Sequence, residues 1–400
     1  MPDADRPQAE TTWPRARTIA YQTGHVSDPA TVGLGEASGA VLATALTALT
    51  DLPAFDTVTM DGWAVAGPGP WRLVQQILAG EQGEPLLPGQ AAAVATGAES
   101  PQGTTAVLRS EHGLSEAQSV SMAEPSRGLP EGRDLRRRGE EARRGDVLLL
   151  PGQVVSPPVL GLAAAAGHDT LDVYRPPRVD VLIMGDELLD MGLSASGSLR
   201  DSLSPQVSGW IRSAGGRPGI VSRVADDRTA AIEAIAASDA DIVMTTGGTA
   251  RGPVDQLHPS LDHVGATLLI DTVAVRPGHP MVLARMPSGQ PLLGLPGNPL
   301  AAAVTFVSIG VPLIASCRGL PMPRLGRTRL RGTISAPPNA HRLMPVRVDD
   351  SDETVATPQL HHGPAMLTGL ANANALAVAP PGGAVDGQIV EVLPLPWATA

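Results

Sequence analysis

Val179-Asp180-Val181-Leu182-Ile183-Met184, followed by Gly185-Asp186-Glu187-Leu188, is the stretch that decides the fold. The first six residues suit a strand buried on both faces, and two acids stand where that strand runs out. Downstream, Val207, Trp210, Ile211 and Ala214 recur at i, i+3, i+4 and i+7. That is a helical stripe, and Gly215-Gly216 ends it. A second strand is expected at 220–224, a second helix at 229–237 and a third strand at 241–245. A helix starting at Pro299 closes the unit. Strands alternating with helices at this spacing predict a parallel α/β sheet over 176–320.

Outward from this unit the pattern changes. Arg175-Pro176-Pro177 reads as a linker. Residues 1–30 are expected to be a poorly ordered lead-in, with no apolar run of the kind a signal peptide needs. Residues 31–66 and 131–175 read as a linker region, with helical patterns at 35–52 and 158–166. Between them, at 67–130, short apolar runs at 71–78, 91–95 and 106–109 suggest a small β-rich module. After Pro321-Met322-Pro323, short runs at 327–334, 343–348, 354–360, 375–379 and 388–393 predict a separate β-domain over 324–396, a barrel or compact sheet.

The composition agrees with a multidomain α/β chain. Four hundred residues exceed one ordinary core, so two to four domains are expected. Only 2% of residues are aromatic, so the cores must be built from Val, Leu, Ile and Ala. A net charge of −11 argues against nucleic acid or an anionic membrane as the main partner. All 29 basic residues are arginine, which removes any lysine Schiff base or lysine phosphate contact. Cys317 stands alone, which excludes an internal disulfide or a thiolate metal cluster; a cytoplasmic location is expected. The apolar stretch 299–317 reads as a buried helix kinked near Pro312 rather than a membrane span.

Ligands of a parallel sheet bind beyond the carboxyl ends of its strands. Three loops lie there. Asp186 and Glu187 could hold Mg²⁺ through oxygen ligands, or could favour a helix N-terminus. Thr246-Gly247-Gly248-Thr249-Ala250-Arg251-Gly252 could bring backbone N–H groups close to an anion, with Arg251 and Asp255 beside it, or could be a structural turn. Arg276-Pro277-Gly278-His279-Pro280 and Gly294-Leu295-Pro296-Gly297-Asn298-Pro299 form the third, the latter feeding a helix whose N-terminus would suit phosphate. Asp61 before Gly62, and Thr96-Gly97-Ala98, read in isolation as turns. No GxSxG elbow or HExxH helix is present, and His361-His362 lacks a third ligand at metal spacing.

In order, Leu52-Pro53-Ala54-Phe55-Asp56 with Met60-Asp61-Gly62-Trp63, Ala95-Thr96-Gly97-Ala98, Arg138-Gly139-Glu140-Glu141, Gly185-Asp186-Glu187-Leu188, Thr246-Gly247-Gly248, Pro277-Gly278-His279-Pro280 and Leu295-Pro296-Gly297-Asn298-Pro299 resemble the molybdopterin molybdenumtransferase family, which includes a domain of gephyrin. The resemblance spans about Val32 to Leu393. It implies an inserted β-domain, a parallel-sheet molybdopterin-binding domain, a C-terminal β-barrel, and a homodimer whose site joins the α/β domain of one subunit to the N-terminal region of the other. It further implies molybdenum insertion into adenylylated molybdopterin, with molybdate as co-substrate, Mg²⁺ as cofactor and AMP released. Asp61, Thr96, Glu187 and Asp255 would be catalytic. Asp186, Glu187, Asp226, Asp227 and Asp255 would serve the metal. Gly247, Gly248, Thr249, Pro296, Gly297 and Asn298 would hold the pterin phosphate end, and Arg276, His279, Arg342 and Arg347 the oxyanion.

This sequence departs from the family pattern in places. Arg276 and His279 replace two usual lysines, which would make oxyanion binding pH-dependent. Thr57-Val58-Thr59, Ile183-Met184, Leu203, Ala250, Pro253 and Gly363 stand where polar residues are usual. A non-catalytic molybdopterin carrier or scaffold is the alternative reading.

Overall fold

In the structure, a computed structural model that describes residues 10–250, 256–349 and 355–398, Arg178–Met184 lies inside a six-stranded sheet. The strand order is Arg217–Val224, Arg178–Met184, Ile242–Thr246, Pro291–Leu295, Val282–Arg285, Thr267–Ile270. The first four strands run parallel. The last two are antiparallel to their neighbours, so the sheet is mixed and not wholly parallel as expected. The cause is local. Only 286–290 join Val282–Arg285 to Pro291–Leu295, and a connection that short permits an antiparallel pair but not a parallel crossover.

Side-chain alternation along Arg178–Met184 feeds two cores. Val179, Val181 and Ile183 face a core with Trp210, Ile211 and Phe306. Leu182 and Met184 face another with Ile235, Leu257 and Leu261. Asp180, the one acid in the strand, is 3% exposed. Its carboxylate accepts from Ile220 N at 2.8 Å and Ser238 Oγ at 2.7 Å, which compensates its burial.

The 299–317 helix is long and apolar enough to cross a membrane, but 89% of it is buried inside the fold. It runs as Pro299–Thr305, a π turn Phe306–Gly310, and Val311–Cys317. The π turn sits just before Pro312, which has no N–H to donate back along the helix.

The lead-in expected at 1–30 holds a buried helix, Trp13–Thr23. Trp13 is 1% exposed and its Nε1 donates to Ser308 Oγ at 3.0 Å. The Thr11–Thr12 strand before it pairs with Val273–Arg276, which in turn pairs with His341–Asp349. From there His341–Asp349, Val355–Pro358, Gly326–Leu330, Ile389–Pro394 and Ala375–Ala379 pair in sequence, and the last returns to the first. The pairings close into a barrel-like ring around Met344, Val346, Ala377 and Val390.

These elements form one compact unit; residues 30–38 and 42–173 form the other. The second unit contains a six-stranded sheet ordered Gly113–Glu116, Ser119–Met122, Trp71–Ile77, Gln90–Val94, Gly62–Val65, Ala106–Arg109. It starts at Gly62, earlier than the expected boundary at 67. The helix expected over 35–52 is absent. A single turn at Leu34–Glu36 gives way to the short strands Val41–Leu42 and Leu46–Thr47, and Gly39 in the left-handed region (φ 77°) separates them from that turn.

Candidate active site

The carboxyl ends of the parallel strands open into a cleft of about 550 Å³. Each strand delivers its following loop to it. Gly185 and Glu187 come from the first loop, Asp226 from the second, Gly247 and Gly248 from the third, and Gly297 and Asn298 from the fourth.

Asp186 and Asp226 are cross-linked. Asp186 N donates to Asp226 Oδ2 at 3.1 Å, and Asp226 N donates to Asp186 Oδ1 at 3.2 Å. One oxygen of each carboxylate remains outside this pair of bonds and both residues are exposed. Asp227, next in sequence, is used differently. Its Oδ1 accepts from Ala230 N at 3.0 Å and caps the helix Arg228–Ala237, which gives it a structural duty.

Gly247 and Gly248 both have positive φ, 84° and 64°, which is why side-chain-free residues occupy this turn. Gly247 N donates to Leu295 O at 2.9 Å, fixing the glycine loop to the Pro296-Gly297-Asn298 turn. Thr249 is 3% exposed and packs towards Gly294, so its side chain does not join the cleft lining. Pro296 is likewise buried behind the turn. Arg251, Pro253 and Asp255 lie outside the described residues.

The helix end at Pro299 is not the open anion site expected. Leu300 N and Ala301 N both donate to Pro364 O, at 2.9 and 3.3 Å, and Ala302 N donates to Asn298 O at 2.8 Å. With Pro299 having no N–H, the first-turn donors are already paired.

Asp201 is a cleft residue that its own sequence neighbourhood does not mark. It is 7% exposed. It accepts from Leu203 N at 2.9 Å, Ser204 N at 3.1 Å and the Ser204 hydroxyl, and lies 3.7 Å from Arg223. Burial opposes its charge, but the Ser204 hydroxyl, the two N–H groups and Arg223 outweigh it, and the carboxyl is held below its ordinary range. Arg223, twenty-two residues away, was not singled out, since nothing in its own neighbourhood marks it. Leu203, where the family pattern has a polar residue, is packed in the core with Val207 and Ile211.

A basic group lies apart from the cleft lining, on the Val273–Arg276 strand. Arg276 and Arg342 are register partners on adjacent parallel strands. Arg276 Nη1 donates to Val275 O at 2.9 Å, and Arg342 Nη2 lies 3.3 Å from His362 Nδ1. His279 Nε2 is 3.1 Å from Glu10 Oε1. Burial first, and Arg276 second, push the His279 imidazole below its ordinary value, while Glu10 pulls it back. Among the described residues, Arg342 Nε and His279 Nδ1 are buried without a hydrogen-bond partner, which suits a site that awaits an acceptor. Arg347 is not part of this group. It is 64% exposed and nearest Asp349, five residues beyond Arg342 and so on the other face of the strand.

In the second unit, Asp61 Oδ1 accepts from both Thr96 N at 2.6 Å and Thr96 Oγ1 at 2.8 Å. These two bonds, the backbone one first, hold the Asp61 carboxyl below its ordinary range. Two residues 35 apart, each a plain turn residue in isolation, are thus one device.

The chain matches three family descriptions in succession: MoeA N-terminal region (domain I and II) over residues 11–167, probable molybdopterin binding domain over 180–316, and MoeA C-terminal region (domain IV) over 327–395. It is 33% identical to molybdopterin molybdenumtransferase 2 of Mycobacterium tuberculosis over 377 residues, covering 88% of this chain and 91% of that one. It is 33% identical to molybdopterin molybdenumtransferase of Synechococcus elongatus over 306 residues, 72% and 75% of the two chains. The fold is similar to that of the molybdopterin biosynthesis MoeA protein from Pyrococcus horikosii, with a TM-score of 0.75 and 22% identity over 96% of this chain and 99% of that one. The chain belongs to the molybdopterin molybdenumtransferase (MoeA) family.

Proposed function

We propose that this chain inserts molybdenum into molybdopterin, taking adenylylated molybdopterin and molybdate as substrates and releasing AMP, as a cytoplasmic homodimer. The observation that carries the proposal is the Asp186–Asp226 pair standing beside the Gly247–Gly248 loop at the carboxyl ends of the parallel strands. Carboxylates able to hold a cation, beside backbone donors, are what a phosphoanhydride requires.

The roles follow from the chemistry. Backbone N–H groups of the glycine loop beyond Gly247, whose own N–H is taken by Leu295 O, bind phosphate oxygens. Gly297 and Asn298 border the same anion. Arg276, Arg342 and His279 bind molybdate, the two arginines with permanent charge. Asp61, held ionised by Thr96, and Glu187 and Asp255 supply carboxylates for positioning water and taking protons.

The donor set fits Mg²⁺. That ion is commonly held by one or two carboxylates together with substrate phosphates and water, and Asp186 and Asp226 each keep one oxygen outside their mutual bonds. When bound, Mg²⁺ neutralises charge on the bridging phosphates. Asp227, engaged as a helix cap, supports the loop that carries Asp226.

A second reading is a carrier that binds molybdopterin without inserting metal. The buried Leu203 and the lowered pKa of His279 favour it. Incubation with adenylylated molybdopterin, Mg²⁺ and molybdate separates the two. Molybdate-dependent AMP release supports insertion; tight molybdopterin binding without AMP release supports the carrier.

A further inference from the structure

The loop 190–198 departs from its surroundings in one respect. It is built of Asp, Gly, Ser and Ala except at Met191 and Leu193, which are 82% and 91% exposed. Two large apolar side chains at nearly full exposure, two residues apart, sit on a loop whose Ser194 lines the cleft.

The loop has a fixed root. Leu188–Leu189 and Leu199–Arg200 pair as short parallel strands. The Arg223 guanidinium donates to Leu188 O at 2.6 Å, meets Asp190 Oδ1 at 2.8 Å and lies 3.7 Å from Asp201. Within the span, Ala195 and Ser198 exchange backbone bonds at 3.1 and 3.0 Å, and Arg200 N donates to Ser194 Oγ at 3.0 Å, so 194–198 is a bonded turn and 190–193 carries the two apolar side chains outside it. Gly192 (φ 86°) and Gly197 (φ 78°) sit in the left-handed region with nothing within 4 Å of where a Cβ would be. Glycine is required there by the backbone, not by crowding.

The cleft itself is equipped for one end of the substrate only. It offers glycine N–H groups and carboxylates, and none of the described residues lining it is aromatic. A flat heterocycle needs an apolar cover, and a methionine thioether is well suited to a ring face or edge.

We propose that 190–198 is a lid that closes on the pterin ring of the substrate, laying Met191 and Leu193 against it while Arg223 holds the root in place. This rests on reading the cleft as the molybdopterin site. The lid is a specificity element: it rewards a ring attached to the phosphate and ignores phosphate alone.

The test compares the wild-type chain with the doubly substituted Met191→Ser, Leu193→Ser chain, using molybdopterin and inorganic pyrophosphate as probes. Both side chains are exposed, so the variant keeps the fold. The expected result is a Kd for molybdopterin raised about tenfold or more, the loss of two buried apolar side chains, with pyrophosphate affinity unchanged. In the wild type, amide hydrogen exchange across 190–198 should slow with molybdopterin and not with pyrophosphate. Unchanged molybdopterin affinity in the variant, or unchanged exchange in a wild type that binds molybdopterin, would overturn the lid alone. A wild type that binds pyrophosphate but not molybdopterin would overturn the reading of the cleft, and the lid with it.

Discussion

Asp186 and Asp226 each accept the other's backbone N–H, at 3.1 and 3.2 Å, so two loops forty residues apart are locked by their own carboxylates. Asp226→Asn keeps an acceptor for Asp186 N but removes the charge. Turnover should fall roughly 100-fold and require more Mg²⁺. Asp227→Asn, a substitution that leaves a good helix cap, should stay within a few-fold of wild type. Steady-state rates across a Mg²⁺ titration check both; equal losses in the two variants would remove the distinction between them.

His279 makes oxyanion binding depend on pH. Its folded pKa is depressed, by burial and then Arg276, so it is neutral at pH 7. Acidification through its depressed folded value, which lies below the ordinary value of about 6.5, adds positive charge beside Arg276. Half-saturating molybdate should therefore decrease as pH falls through that region, until the protein itself fails. The sign for stability is the reverse: a depressed histidine pKa gives stability that is complete above about 6.5 and is lost below it, because the unfolded chain takes up the proton first. His279→Lys should bind molybdate about fivefold more tightly at pH 8 and lose this pH dependence. A flat molybdate profile in the wild type would count against the assignment.

Thr96 holds Asp61 ionised with one backbone and one hydroxyl bond. Thr96→Val deletes the hydroxyl and keeps the backbone bond. The acid limb of the rate profile should move to higher pH, with little change on the plateau. An acid limb that does not move would take Asp61 out of the titration that limits the rate.

Asp180 concerns stability and not catalysis. Its carboxylate serves Ile220 N and Ser238 Oγ inside the sheet, and a Cβ at Gly219 would collide with it. Asp180→Ala removes the acceptor of two part-buried bonds and should cost about 1–2 kcal/mol. Gly219→Ala should also destabilise, by forcing Asp180 aside. Urea midpoints measured on both variants check this; wild-type midpoints would show that the buried acid is dispensable.

Much of the α/β unit was legible because its signals are local. The Val207–Trp210–Ile211–Ala214 stripe became the helix Ser204–Ser213, and the apolar runs became strands. The antiparallel edge is set by the 286–290 turn, which is too short for a parallel crossover and carries no motif of its own. The Trp13–Thr23 helix was readable in principle. Trp13, Ala16, Arg17 and Ala20 are buried at i, i+3, i+4 and i+7, behind a Pro14 well placed for a first turn; the charged, proline-bearing residues around it obscured the stripe. At the site, the glycine loop and Asp186 announced themselves by position. Two features could not be read at any spacing. Arg223 acts through Asp190 and Asp201, and Pro364 O covers the donors of a helix more than sixty residues earlier. Both depend on where distant backbone is carried by the fold.

The most direct measurement is AMP release from adenylylated molybdopterin with Mg²⁺, with and without molybdate, in the wild type and in Asp226→Asn. The account predicts AMP release coupled to molybdate and to formation of the molybdenum-bearing cofactor, and its near loss in the variant. AMP release indifferent to molybdate, or no release from a chain that binds molybdopterin tightly, would contradict it.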